Sequence, residues 1–403
     1  MIDINKIISD FNVLSNPQDK SGIIYFDSAC MSLKPNVVVE AMDQYYFNFP
    51  ACAGRSSHRL ADIVTNKIKA TRQIVARFIN ASSENEIIFT RNTTEGINLL
   101  ANSLDFKKGD IVLITDKEHN SNLVPWLVLR DKIGIVVKII PSNADGTFNL
   151  DNLSQIVVGA KLVSVVHTSN LDGVTNPVKE IIEIAHKSKA LVMLDVAQSI
   201  PHRKIDVKDL DVDFLVFSGH KILGPTGTGV FYGKFKLLEE LSSFIVGGET
   251  VEYSTYDDYR ILPSPEKFEA GLQDYAGIIG LGEAIKYLTA VGFDNILGHE
   301  LALNAYITQE LSKISSINII GPADPALRSG IISFYIKNFD MHQIALMLND
   351  MAGIAVRSGQ HCVHSWFNAN NIKNSARASL YFYNTIEEAE IFINNLNKIV
   401  RIL

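Results

Sequence analysis

A chain of 403 residues, 47% apolar and 20% charged, has material for one large or two medium-sized buried cores, which excludes a disordered or fibrous protein. Thirty-seven basic against 44 acidic side chains leave a formal charge of −7, so the totals carry no surface suited to neutralising a nucleic-acid backbone. Three cysteines, Cys30, Cys52 and Cys362, with no Cys-x-x-Cys pair, are too few for a disulfide framework and read as a reducing compartment. The N-terminal stretch MIDINKIISDF is acidic and amphipathic, unlike a secretion signal, and no run approaches the roughly 18 uncharged apolar residues of a membrane span. The expectation is a cytoplasmic protein with no membrane or nucleic-acid partner.

After the first twenty residues, short runs rich in Ile, Val, Leu and Phe alternate with longer stretches of helical spacing, which predicts parallel strands joined by crossover helices. The predicted strands are 87–90, 111–115, 134–140, 161–167, 190–195, 213–218 and 229–232. Most are unbroken apolar runs, as strands covered on both faces are. From about Gly277 the texture changes. Helical spacing over 278–291 and 299–315 precedes a strand at 331–336, a helix at 340–351, a strand near 354–357 and a closing helix at 385–402, together a smaller α+β body. No internal repeat or Gly/Ser linker separates the two parts, so they are expected to pack closely around a cleft.

In an open parallel sheet ligands sit beyond the carboxyl ends of the strands, so the residues following each apolar run carry the information. After 87–90 comes Arg91-Asn92-Thr93-Thr94-Glu95-Gly96, a hydroxyl-rich turn entering a helix whose free N–H groups and positive dipole end suit a phosphate. Glu118, His119 and Asn120 follow the second strand, Ser169 and Asn170 the fourth, and Gln198 the fifth, which Asp195 itself closes. The sixth leads into Ser218-Gly219-His220-Lys221 and then Gly224-Pro225-Thr226-Gly227-Thr228-Gly229, which fits neither the dinucleotide nor the Walker glycine pattern and reads as a chain reversal. Singly, each cluster has an ordinary explanation as a helix cap, a loop histidine, a strand-end carboxylate or a solvated lysine. Together they put an anion cradle, a carboxylate, an imidazole and a lysine on one sheet edge.

Pyridoxal 5′-phosphate chemistry requires that set. A lysine forms a Schiff base with the aldehyde, a carboxylate keeps the pyridine nitrogen protonated so the ring draws electrons, and a helix N-terminus takes the phosphate. A neutral amide such as Gln198 can hydrogen-bond the phenolic oxygen, and an imidazole such as His119 can stack on the ring and move protons.

The segments FDSAC (26–30), RNTTEGINLLANS (91–103), EHNSNLVPW (118–126), HTSNLDGVTNP (167–177), LDVAQS (194–199), FSGHKILGPTGTGV (217–230), FEAG (268–271), VRSGQHC (356–362) and RASLYFYNT (377–385) span nearly the whole chain. In them the sequence resembles the cysteine desulfurase and selenocysteine lyase family of class V aminotransferases, specifically the group II cysteine desulfurases. The resemblance implies a pyridoxal-phosphate-dependent transferase of fold type I. Its large α/β domain, residues 20–285, would hold a mainly parallel seven-stranded sheet, and residues 1–19 with 286–403 would form a small α+β domain. It makes Lys221 the cofactor lysine, Asp195 the pyridinium partner, Gln198 the phenolic-oxygen partner and His119 the stacked base. Thr93, Thr94, Ser218 and His220 align with phosphate contacts. Asn170, which also touches the cofactor, aligns with Arg357 and Arg377 as a substrate-carboxylate group.

Cys362 matches the sulfur-accepting thiol of the family. It sits in the polar loop Arg357-Ser358-Gly359-Gln360-His361-Cys362-Val363-His364, whose neighbouring cationic groups favour a thiolate. Cys30 and Cys52 read as structural thiols. A zinc site on His361, Cys362 and His364 lacks a fourth ligand in sequence. Family members follow FEAG with a threonine that reaches the partner subunit's phosphate, whereas this chain has Leu272-Gln273, so the contact is either absent or made by Gln273. After Cys362 it reads VHSWF, without the family's commoner proline. The implied reaction converts L-cysteine to L-alanine, leaving a persulfide on Cys362 for an acceptor protein of iron–sulfur cluster assembly. A homodimer is implied, with Arg55 and His58 in a region that crosses over. Selenocysteine lyase or another carbon–sulfur lyase is the nearest alternative, and a non-enzymatic cluster scaffold is disfavoured by the wide cysteine spacing.

Overall fold

The computed structural model describes residues 3–15 and 22–402. The expected boundary between residues 19 and 20 lies outside them. Fourteen strands are present among the described residues: β1 (Ile24–Phe26), β2 (Ile87–Thr90), β3 (Ile111–Thr115), β4 (Val136–Ile140), β5 (Ala160–Val166), β6 (Leu191–Asp195), β7 (Phe214–Ser218), β8 (Gly229–Gly233), β9 (Val251–Ser254), β10 (Tyr259–Ile261), β11 (Ile317–Ile319), β12 (Ile331–Ile336), β13 (Ile354–Gly359) and β14 (Ser375–Ser379).

Seven of them form the large sheet, in the order β2-β8-β7-β6-β5-β3-β4. The β3–β4, β3–β5, β5–β6 and β6–β7 pairs are parallel, whereas β8 runs antiparallel to both β7 and β2. The alternation of apolar runs predicted this sheet because helices cover both its faces, so β2, β7 and β8 are buried along their whole length. The reversal of β8 is what the Gly224–Gly229 turn accomplishes. Gly229 opens β8 against the entry to the helix Thr93–Ser103, where a Cβ would stand 2.7 Å from Asn92 Cα and 2.9 Å from Phe217 O. No residue but glycine fits there.

A second, five-stranded sheet has the order β1-β13-β14-β12-β11. All its pairs are antiparallel except β1 with β13. Its core, including Phe26, Leu303, Phe334, Leu348 and Phe392, is separate from that of the large sheet. Helices Phe293–Leu311, Met341–Ala352 and Ile386–Val400 contribute to it. Strand β1, from within the span expected for the large domain, pairs Ile24 with Ile354 and Phe26 with Val356 and so belongs to the small sheet. No single helix among the described residues is long and apolar enough to cross a membrane.

Candidate active site

The twelve side chains that sequence reasoning assigned to the site, Thr93, Thr94, His119, Asn170, Asp195, Gln198, Ser218, His220, Lys221, Arg357, Cys362 and Arg377, line one cavity of about 260 Å³. The large sheet supplies its floor through the ends of β5, β6 and β7, and the small sheet supplies Arg357 from β13 and Arg377 from β14.

At one end of the cavity, Asn92 caps the helix Thr93–Ser103 by accepting the Glu95 N–H at 2.9 Å. Thr93 N–H donates to Ser218 Oγ at 2.8 Å, and the two hydroxyl oxygens lie 2.7 Å apart. Thr94 Oγ1 meets Ser121 Oγ at 2.7 Å. A cluster of rotatable hydroxyls at a helix N-terminus, where the dipole end is positive, is matched to a dianionic group.

On the sheet side, Asp195 is buried at the end of β6 and accepts the Ala197 N–H at 2.9 Å. Burial pushes its carboxyl above the usual range, against the pull of the Lys221 ammonium. Lys221 has the mirror-image balance: burial pushes it down, Asp195 holds it up, and Arg377 adds a downward push. Gln198 Nε2 donates to Ala29 O at 2.6 Å. His220 lines the cavity with its imidazole, held down to about 4 by burial and by the Lys221 and Lys34 charges.

His119 is pushed down to about 3, chiefly by burial and then by the charges of Lys221, Arg377 and His364. Its Nδ1 accepts the Ser121 N–H at 3.1 Å, so the neutral ring carries its proton on Nε2. Beneath it, buried Glu118 ties strand ends together by accepting from Thr115 Oγ1 at 2.7 Å, Asn122 Nδ2 at 2.7 Å and Val166 N–H at 2.9 Å. Burial pushes that carboxyl up to about 7 while these donors pull it back.

Arg377 is 3% exposed at the middle of β14. Its Nη1 donates to Asn170 O at 2.9 Å, Nη2 stands 3.6 Å from Asp27 Oδ1, and Nε has no partner. Arg357 Nη1 stands 3.6 Å from Asp27 Oδ2. Asn170 Nδ2 donates to His361 O at 2.7 Å, and its Oδ1 is buried without a partner. The Cys362 loop takes left-handed φ angles of 48° at His361 and 58° at Cys362, and Asn120 N–H donates to Cys362 O at 2.7 Å. The Cys362 residue is exposed.

One expectation is corrected. Cys30, read as structural, lines the cavity. Within its own chain the Gln273 amide donates to Ala270 O at 3.2 Å and to Gly271 O at 3.3 Å. Within the one chain Arg55 pairs with Glu249 at 3.1 Å and His58 Nδ1 accepts the Ala61 N–H at the start of its own helix. His361 Nε2 meets Ser375 Oγ at 2.7 Å and His364 Nδ1 meets Asn120 Nδ2 at 2.8 Å, and among the described residues no three or more His, Cys, Asp or Glu side chains are grouped to hold a metal ion. Sequence reasoning missed Asp27 between the two arginines, Ser121 as the partner of His119, and Lys34, which donates to His220 O at 3.2 Å. Ser121 stands two residues after His119, within reach of a local bond to its ring.

A lysine that makes no hydrogen bond or ion pair among the described residues, facing a cavity with a buried carboxylate and a hydroxyl-lined helix N-terminus, fits pyridoxal 5′-phosphate. The Aminotransferase class-V family model matches residues 24–392, which places the protein in that class. A probable cysteine desulfurase of Halalkalibacterium halodurans is 40% identical over 96% of each chain. A cysteine desulfurase of Escherichia coli is 38% identical over 99% of each. Among solved structures, the apo cysteine desulfurase from Thermococcus onnurineus NA1 superposes with a TM-score of 0.94 at 37% identity, covering 99% of this chain and 98% of that one. A cysteine desulfurase from Escherichia coli in an S-sulfonic acid form gives 0.91 at 31% identity over all of both chains. The chain belongs to the cysteine desulfurase family.

Proposed function

We propose that this protein converts L-cysteine to L-alanine with pyridoxal 5′-phosphate and collects the sulfur on Cys362 as a persulfide, for an acceptor protein of iron–sulfur cluster or other sulfur-cofactor assembly. The observation that carries the reading is the convergence of Lys221, buried Asp195, two arginines and an exposed thiol on one cavity.

When bound, the cofactor supplies an electrophilic aldehyde and a pyridinium ring that draws electrons from the carbon attached to it. Asp195 is the anion for the ring nitrogen, Gln198 the neighbour for the phenolic oxygen, Lys221 the amine for the aldehyde, and Thr93, Thr94, Ser218 and His220 the phosphate cradle. Burial holds Lys221 Nζ below the ordinary ammonium range, which suits the free amine to remove a proton next to a carboxylate. Arg377 and Arg357 grip that carboxylate, Arg377 through a planar fork. Neutral His119 keeps a proton on Nε2 for transfer within the site. Cys362 Sγ attacks the substrate sulfur; the S–S bond forms as the carbon–sulfur bond breaks, and the sulfur remains on the protein. Two copies complete the assembly, with Gln273, Arg55 and His58 available to a partner.

Replacing Cys362 by Ser tests the assignment. Alanine formation from L-cysteine falls by at least about a hundredfold, since the positioned nucleophile is gone. Undiminished cysteine turnover in that variant overturns the role of Cys362 and favours the selenocysteine lyase alternative.

A further inference from the structure

We propose that Cys30 is a second sulfur carrier, taking the outer sulfur from the Cys362 persulfide and holding it beside Arg357 while Cys362 accepts another. This rests on the reading of Cys362 given above. Cys30 and Cys362 line the same cavity, and Arg357 Nη1 donates to Cys30 Sγ at 3.1 Å. A guanidinium donor is matched to an anionic acceptor, and a persulfide sulfur is one. The same wall holds buried Arg377, whose Nε is unpartnered, and Asp27 lies at 3.6 Å from each guanidinium, outside hydrogen-bonding distance. With sulfur stored at Cys30, Arg357 serves the stored sulfur and Arg377, through its unpartnered Nε, still serves the substrate carboxylate.

The two thiols differ in how they are held. Cys30 is half-buried in a turn fixed from both sheets: its N–H donates to Asp27 O at 3.0 Å, Ala29 N–H to Ser379 Oγ at 2.9 Å, and Gln198 Nε2 to Ala29 O at 2.6 Å. Ser28 Oγ meets Tyr383 OH at 2.8 Å. Cys362 is exposed, on a loop where it and His361 both take left-handed φ. The exposed Cys362 suits delivery and the half-buried Cys30 suits storage.

The transfer needs no oxidant. The Cys30 thiolate attacks the outer sulfur of the Cys362 persulfide, forming a new S–S bond at Cys30 Sγ. The old S–S bond breaks, and its electron pair returns to Cys362 Sγ as a thiolate. One sulfane sulfur moves and the totals of electrons and protons are unchanged.

The test is peptide mass mapping of the holoenzyme after excess L-cysteine with no acceptor, the thiols being trapped by alkylation. The expected result is one additional sulfur on each of Cys30 and Cys362, with exposed Cys52, outside the cavity, unlabelled. In Cys30→Ser the protein-bound sulfane sulfur drops from two to one per chain, all on Cys362. In Cys362→Ser none appears on Cys30. Cys362 labelled with Cys30 bare overturns the relay alone, as does Cys30 labelled equally with Cys52 or labelled in Cys362→Ser. A bare Cys362 in the unaltered protein overturns the parent reading and the relay with it. The map of the unaltered protein decides the question even if a variant folds poorly.

Discussion

Exchanging Arg377 for lysine separates charge from shape at the substrate-gripping wall. The guanidinium spends Nη1 on Asn170 O and keeps Nε without a partner, with Asp27 3.6 Å from Nη2. Lysine preserves a positive charge near half-buried Asp27, which also keeps Arg357 at 3.6 Å, so the fold is spared an uncompensated carboxylate. It presents a point charge where arginine presents a fork, and one charge-assisted hydrogen bond to the substrate carboxylate is lost. Such a bond contributes about 1.5–3 kcal/mol. At about 1.4 kcal/mol per factor of ten, kcat/KM for L-cysteine falls roughly 10- to 150-fold. Because the carboxylate is held alike before and during the chemistry, most of the loss falls on KM. Saturation curves for alanine formation measure the split, and the visible absorbance of the bound cofactor checks loading. A KM within about threefold of the unaltered protein, with normal loading, refutes Arg377 as the carboxylate group.

The Cys362→Ser and sulfur-mapping experiments stand beside two predictions about the scaffold. His167 is 8% exposed and is pushed down to about 3 by burial first and the Arg203 charge second. Its ordinary value is about 6.5. The unfolded chain therefore binds a proton that the folded chain refuses, so stability falls as pH drops below 6.5 toward 3. Relative to His167→Phe, which does not titrate, the unaltered protein loses about 2 kcal/mol between pH 7 and pH 5. Urea unfolding at the two pH values measures it, and a constant or reversed difference contradicts the burial argument. Gly229→Ala forces a Cβ onto backbone atoms of Asn92 and Phe217. It lowers stability by about 1–3 kcal/mol and weakens cofactor binding by displacing the Thr93 turn. Unchanged urea midpoints and cofactor affinity would show that the close approach is slack.

Strands buried on both faces were legible to the residue at 87–90, 111–115 and 331–336, because continuous apolar runs have few other uses. Strand β14 was not. Its sequence Ser-Ala-Arg-Ala-Ser has no apolar run, yet every residue is buried. Its core contacts come from two alanines, and its central residue is an arginine turned to the cleft. Strand β1 is only three residues long, and the β9–β10 hairpin is largely exposed, so neither carries a strong pattern. The groups at the ends of the parallel strands could be read because topology puts them on one edge. Cys30, which lines the cleft, and Asp27, which stands between its two arginines, could not, because they follow a strand of the other sheet. A thiol flanked by Ala29 and Met31 looks like core in sequence; only the tertiary fold places it beside Arg357.

The small sheet draws its edge strand from the beginning of the chain and the other four from its end. On the ribosome, Ile24 therefore has no partner until Ile354 emerges, long after the strands bearing Asp195 and leading to Lys221 are made. The half of the cleft proposed to grip the vitamin precedes the half proposed to recognise the amino acid, and a polypeptide stopped anywhere between β8 and β12 would own the first without the second.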